Sequence, residues 1–298
     1  MPAVTKTTIE SADAVELRTP ALRLVAVSAW GPRIAFLGKP GGDNLLLWKP
    51  GTYTRGQWDL RGGHRVWVTR PGADECEDTY ATDNAPCAVE LLPDGFRITG
   101  GEHPANRTRR GISVTALNDH TLRVDNFLTN TGDLLYSGGI WALTCTVPTP
   151  GTQYGIPVGD GSEWDAFSMV LFRRWAGHGA GGFDDPQFQI KGDVLAIQPQ
   201  GKENKRMLQS RHGIIAMSDP QRQLTFAKRA PLHDGQPYPL NTNLAVYIGP
   251  DNFMVEMETM GHERTLRPGE SLHHVETWVL RDGAIPLTPA RGLLDLFA

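Results

Sequence analysis

The sequence predicts an all-β protein made of antiparallel sheet, closed by one short helix at the C-terminal end. Three observations predict it. Short runs rich in β-branched and aromatic residues recur from end to end, clusters of turn residues separate them, and helical periodicity appears only once.

The runs fall at 22–28, 33–37, 44–48, 65–69, 88–92, 96–99, 112–117 and 122–129. They continue at 140–147, 169–175, 194–198, 213–217, 223–227, 244–248, 253–260 and 271–280. Between them lie Pro40-Gly41-Gly42-Asp43-Asn44, Pro93-Asp94-Gly95, Asn118-Asp119-His120, Asn130-Thr131-Gly132-Asp133, Gly249-Pro250-Asp251-Asn252 and Arg267-Pro268-Gly269-Glu270. Each contains residues that preset φ or tolerate positive φ, so consecutive hairpins are expected. The helix is expected at 290–297, where Pro289 precedes a cluster of Leu293, Leu294 and Leu296. Two stretches, 51–62 and 151–164, break the rhythm and read as long loops at the rim of a binding site. Nothing divides the chain, so one domain over 1–298 is expected.

Composition narrows the function. The chain has 298 residues, 29 Lys and Arg against 33 Asp and Glu, and a net charge of −4. That balance provides no basic face for nucleic acid. The 33 Gly and 22 Pro exceed their usual combined share of roughly 12%, in keeping with many turns. With 40% hydrophobic residues and eight Trp, there is enough apolar surface for a large core. No signal-like or membrane-length apolar run occurs, which predicts a cytoplasmic protein with no membrane partner. Cys76, Cys87 and Cys145 are odd in number and lack zinc spacing, so free thiols are expected. The nine His follow no metal-ligand pattern, and neither a Walker loop nor a GxGxxG or GxSxG motif is present; no cofactor is expected.

The candidate chemistry comes from alternation. In 253–260, strand geometry puts Phe253, Val255, Met257 and Thr259 on one side and Glu256 and Glu258 on the other. Two carboxylates so placed, if desolvated, suit general acid–base work. The run 271–280 follows through Pro268-Gly269 and is expected to pair with 253–260, with His274, Glu276 and Trp278 on one face. Around Gly62-Gly63, the segment Arg61–Trp67 gathers a cation, an imidazole and an indole. Arg65 and Trp67 share a side, a combination that suits packing against a sugar ring and bonding its hydroxyls. His103 and Arg107 in a polar turn, His178 in a Gly-rich loop, Lys205 with Arg206, and His233 before a turn are further candidates to line a cleft.

These residues resemble a known family. GGHRVW at 62–67, VDNFLTNTGD at 124–133, Trp141 in GGIWALT and the segment 253–278 resemble the galactose mutarotase-like (aldose 1-epimerase-like) superfamily over roughly 15–282. The resemblance implies a β-supersandwich and a small-molecule sugar or sugar derivative as partner. It further implies that Glu258, in Met257-Glu258-Thr259, is the general base and that Arg65, beside His64, holds sugar hydroxyls. Where the family carries a proton-donating His after the LTN motif, this chain has Ile140-Trp141. The acid is then expected from His64, His103 or His178, with Trp67 and Trp141 as a platform and Arg65, Lys205, His178 and His233 binding substrate. The alternatives are a sugar-binding or sensing module without turnover, or lyase or hydrolase chemistry on an acidic sugar held by Arg61, Arg65 or Lys205.

Overall fold

In the computed structural model, the described residues are 2–49, 54–55, 58–69, 84–159, 168–170 and 184–298. Their strands form two large antiparallel sheets. The first sheet runs β1 (Ala3–Ile9), β2 (Ala12–Arg18), β3 (Arg23–Val27), β4 (Arg33–Gly38), β7 (His64–Thr69), β12 (Tyr136–Thr146), β21 (Val255–Met260), β20 (Leu244–Ile248), β17 (Asn204–Gln209) and β14 (Ser168–Val170). A short strand, β22 (Arg264–Leu266), extends the pairing of β12. The second sheet runs β15 (Phe188–Lys191), β16 (Val194–Ile197), β13 (Gln153–Pro157), β18 (Ile214–Asp219), β19 (Leu224–Arg229), β23 (Ser271–Asp282), β11 (Thr121–Asn130), β10 (Thr108–Ala116), β9 (Gly95–His103) and β8 (Ala88–Leu92). Two-residue strands β5 (Thr54–Arg55) and β6 (Trp58–Asp59) pair with each other.

The two inner faces share one core. Val66, Ile140, Val255 and Met257 from the first sheet meet Ile112, Val124, Ile215, Phe226 and Trp278 from the second. Removing this apolar surface from water is the main force holding the sheets together. The middle of the first sheet is covered on its other face too. There Leu47, Leu60 and Met254 pack with Trp67, Trp141, Leu143, Cys145, Met207, Ala245 and Met260. Burial on both faces explains why β7 and β21 have no exposed position. The second sheet is covered by the expected helix, Ala290–Leu294, whose Leu293 packs with Val194, Ala216, Ala227 and Leu287.

The all-β architecture and terminal helix agree with expectation, but several local readings are corrected. Residues 44–48 form single bridges, Leu46 to Thr146 and Trp48 to Gly62, because the segment crosses two neighbours and follows neither. The expected loop at 151–164 contains β13, whose Gly155 lies against Leu287 with no side chain to signal a strand. The segments 253–260 and 271–280 do not pair. β21 and β23 lie in different sheets, because β22 intervenes and the chain crosses between layers. Of 169–175, only the start belongs to the described residues.

Candidate functional site

Strand alternation builds the site on the face of the first sheet turned away from the inter-sheet core. Cross-strand register aligns Trp67 with Trp141 and Trp141 with Met260. The next row runs Arg33, Arg65, Leu143, Glu258, Ala245 and Met207. A third aligns Cys145, Glu256, Tyr247 and Lys205. Gly62 and Gly63 bring the chain into β7 at φ of 83° and 76°, close against the carbonyls of Leu47 and Ile34, where a Cβ would collide.

Glu258 is the centre of the first cluster. Its side chain is fully buried, and Oε2 accepts a hydrogen bond from the Trp141 indole N–H at 2.6 Å and lies 3.1 Å from Lys205 Nζ. The ammonium also sits 4.6 Å from the Trp141 ring centroid, and the indoles of Trp67 and Trp141 meet edge to face at 6.2 Å. Glu256 anchors the second cluster. Arg65 donates to its Oε1 at 3.0 Å and lies over Trp67 at 4.3 Å, while Cys145 donates to the same oxygen at 3.4 Å. Burial pushes the Cys145 thiol up to about 12, so it stays protonated.

A separate polar network lies on the opposite face, between the sheets. Asn126 donates through Nδ2 to Glu276 at 3.1 Å, which orients its amide so that Oδ1 accepts from His64 Nε2–H at 2.9 Å. His64 Nδ1 is therefore an acceptor and takes the Thr144 hydroxyl at 2.9 Å; that oxygen in turn accepts from Lys228 at 2.9 Å. Lys228 pairs with Glu276 at 2.7 Å, both fully buried. Thr259 donates to Glu276 at 2.6 Å and meets His274 Nε2 at 2.8 Å, and Trp278 donates to Glu276 at 3.1 Å. Burial, against the pull of Glu276, drives His64 and His274 down to about 4, so both are neutral near pH 7.

The structure thus brings together Glu258, Trp67, Trp141, Arg65 and Lys205. It does not bring His64 to them, since His64 faces the other side of β7. His103 ends β9 in the second sheet, where its Nδ1 accepts from the N–H groups of Ala105 and Asn106 at 3.2 and 3.3 Å. His233 is exposed in a turn, its ring 5.2 Å from that of His262. His178 lies outside the described residues, as does Cys76. Arg61 bonds Asp59 and Asn84 and lies over Trp30. Sequence reasoning missed Arg33, fully buried in the row of Arg65 and donating to the carbonyls of Leu60 and Gly62. It also missed Lys228, although Lys228 shares strand parity with the core residues Leu224 and Phe226. Among the described residues, no group of three or more His, Cys, Asp or Glu has metal-holding geometry.

No family model matches the sequence, and no curated protein matches it. Solved structures do. The chain is similar to a candidate aldose 1-epimerase from Escherichia coli K12, at 13% identity and a TM-score of 0.62, covering 95% of this chain and 100% of that one. It is also similar to a candidate aldose 1-epimerase from Klebsiella pneumoniae, at 11% identity and a TM-score of 0.63, covering 98% and 85%. A galactose mutarotase-like protein from Lactobacillus casei matches at 11% identity and a TM-score of 0.60, covering 94% and 100%. The fold is that of galactose mutarotase-like proteins. Among the described residues, no helix is long and apolar enough to cross a membrane.

Proposed function

We propose that this chain is a carbohydrate-active enzyme of the aldose epimerase or mutarotase type, with Glu258 as general base and a free sugar as substrate. The observation that carries the reading is the Glu258 cluster: a buried carboxylate flanked by two crossed indoles and a lysine, on the outward face of a sheet whose fold is shared with sugar mutarotase-like proteins. In this reading the crossed indoles of Trp67 and Trp141 are the platform for a pyranose face and Arg65, in the same cross-strand row as Glu258, bonds hydroxyls. Acid–base opening and closing of the ring at the anomeric carbon needs only two proton-transfer groups, so no cofactor enters the proposal. A cytoplasmic location belongs to the same reading, supported by the buried thiol of Cys145.

A second reading, a sugar-binding module without turnover, is favoured by one observation: neither His64 nor His103 stands on the face of Glu258. NMR exchange spectroscopy combined with saturation transfer separates the two. Sugar signals that saturate and exchange between anomers, with exchange lost in Glu258→Gln, support the enzyme. Saturation without exchange supports the module.

A further inference from the structure

We propose that Lys205, rather than a histidine, is the general acid that works with Glu258. The inference rests on the mutarotase reading of the site. Lys205 enters the face from β17, in register with Tyr247 and two strands away from β21. The residue between Lys205's strand and Glu258 is Ala245, whose methyl group leaves room for the lysine stem to pass diagonally across β20. The stem is buried, and Nζ arrives 3.1 Å from the carboxylate and 4.6 Å from the indole of Trp141.

Among the described residues, the other groups on this face are poorer proton donors. Arg65 holds its protons at any working pH and is engaged with Glu256. The Cys145 thiol is pushed up to about 12 by burial and donates to Glu256. The Tyr247 hydroxyl donates to Glu203 at 2.6 Å. The Trp141 indole orients Glu258 without ionising. The Lys205 ammonium is a donor with an exchangeable proton, in contact with the proposed base.

The reaction balances with these two groups. Glu258 takes the proton of the anomeric hydroxyl, the C1–O1 double bond forms, the bond between C1 and the ring oxygen breaks, and Lys205 gives that oxygen a proton. After the aldehyde turns, the neutral amine takes back the proton from the ring-forming hydroxyl. This oxygen attacks C1, and Glu258 returns its proton to O1. Both side chains end as they began.

The test follows anomer exchange of D-glucose, D-galactose, their 6-phosphates, and glucuronic and galacturonic acids by NMR. Wild type is compared with Glu258→Gln, Lys205→Met, Lys205→Arg and Lys205→Ala, each checked for folding by circular dichroism. With the sugar that wild type interconverts, Lys205→Met is expected to lose about 100-fold or more in kcat, with KM changed by less than about threefold. Lys205→Arg should be as slow, because a guanidinium keeps the charge but releases no proton, and added methylammonium should restore part of the rate to Lys205→Ala. A Lys205→Arg variant within about threefold of wild type would show that the charge merely positions Glu258, and would overturn the proposal alone. Absence of exchange in wild type, or full exchange in Glu258→Gln, would remove the parent reading and this inference with it.

Discussion

At the scale of single residues, the same alternation that sets the candidate base on one face of β21 sets a second group of charges on the other. Glu258 and Glu256 face outward from β21, while Thr259 turns inward to Glu276. Lys228 and Glu276 form an ion pair with no solvent access, and such pairs are costly to break from one side. Lys228→Met is expected to destabilise the fold by about 3–5 kcal/mol, and the double variant Lys228→Met with Glu276→Leu should recover much of that loss in urea unfolding.

The same network sets an acid limit. An unfolded His takes up its proton near pH 6.5, whereas burial holds His64 and His274 down at about 4 in the folded chain. Between those values the unfolded state binds more protons, so stability falls as pH drops through the window. Burial by itself would raise the Glu276 carboxyl, yet Lys228 and the facing imidazoles hold it at about 2. Glu276 therefore adds a further loss as pH falls from about 4.5 towards 2. Urea midpoints should decline between pH 7 and pH 5, and His274→Gln should flatten the slope; a midpoint constant over that range would contradict the assignment.

At the scale of elements, parity was the legible signal and partnership was not. Period two in 253–260 places both glutamates correctly, and in β7 it pairs Arg65 with Trp67. Applied one residue earlier, it also places His64 with Val66 and Val68 on the core face, a consequence hidden when GGHR is read as one cluster. No local pattern records that β21 and β23 belong to different sheets. The Pro268-Gly269 turn is equally compatible with a hairpin and with a crossing, and the three-residue β22 decides between them. β2, written Ala-Asp-Ala-Val-Glu-Leu-Arg, was invisible for another reason. Its residues have modest strand preference, and pairing with β1 and β3 supplies what propensity does not. The terminal helix was legible from its leucines, and its role follows from what it covers. Leu293→Ala is expected to cost about 2–5 kcal/mol, since Leu293 is fully buried against β16, β18 and β19; thermal unfolding reads the change.

At the scale of the whole molecule, two sheets enclose one core, and the first carries a second apolar layer on its far face. That layer makes the site a low-dielectric place, in which the Lys205 and Trp141 contacts to Glu258 count for more than they would in water. The first sheet itself separates the proposed chemistry, on its far face, from the inter-sheet network. Glu258→Gln should abolish turnover and, because it breaks the buried pair with Lys205 from one side, also lower stability, whereas Lys228→Met should lower stability while leaving the contacts of Glu258 in place. The most direct test of the central claim is anomer exchange by NMR on wild type and Glu258→Gln. Exchange accelerated by wild type and abolished in a folded Glu258→Gln is the expected result. Undiminished exchange in Glu258→Gln, or sugar binding with no exchange in wild type, would contradict it.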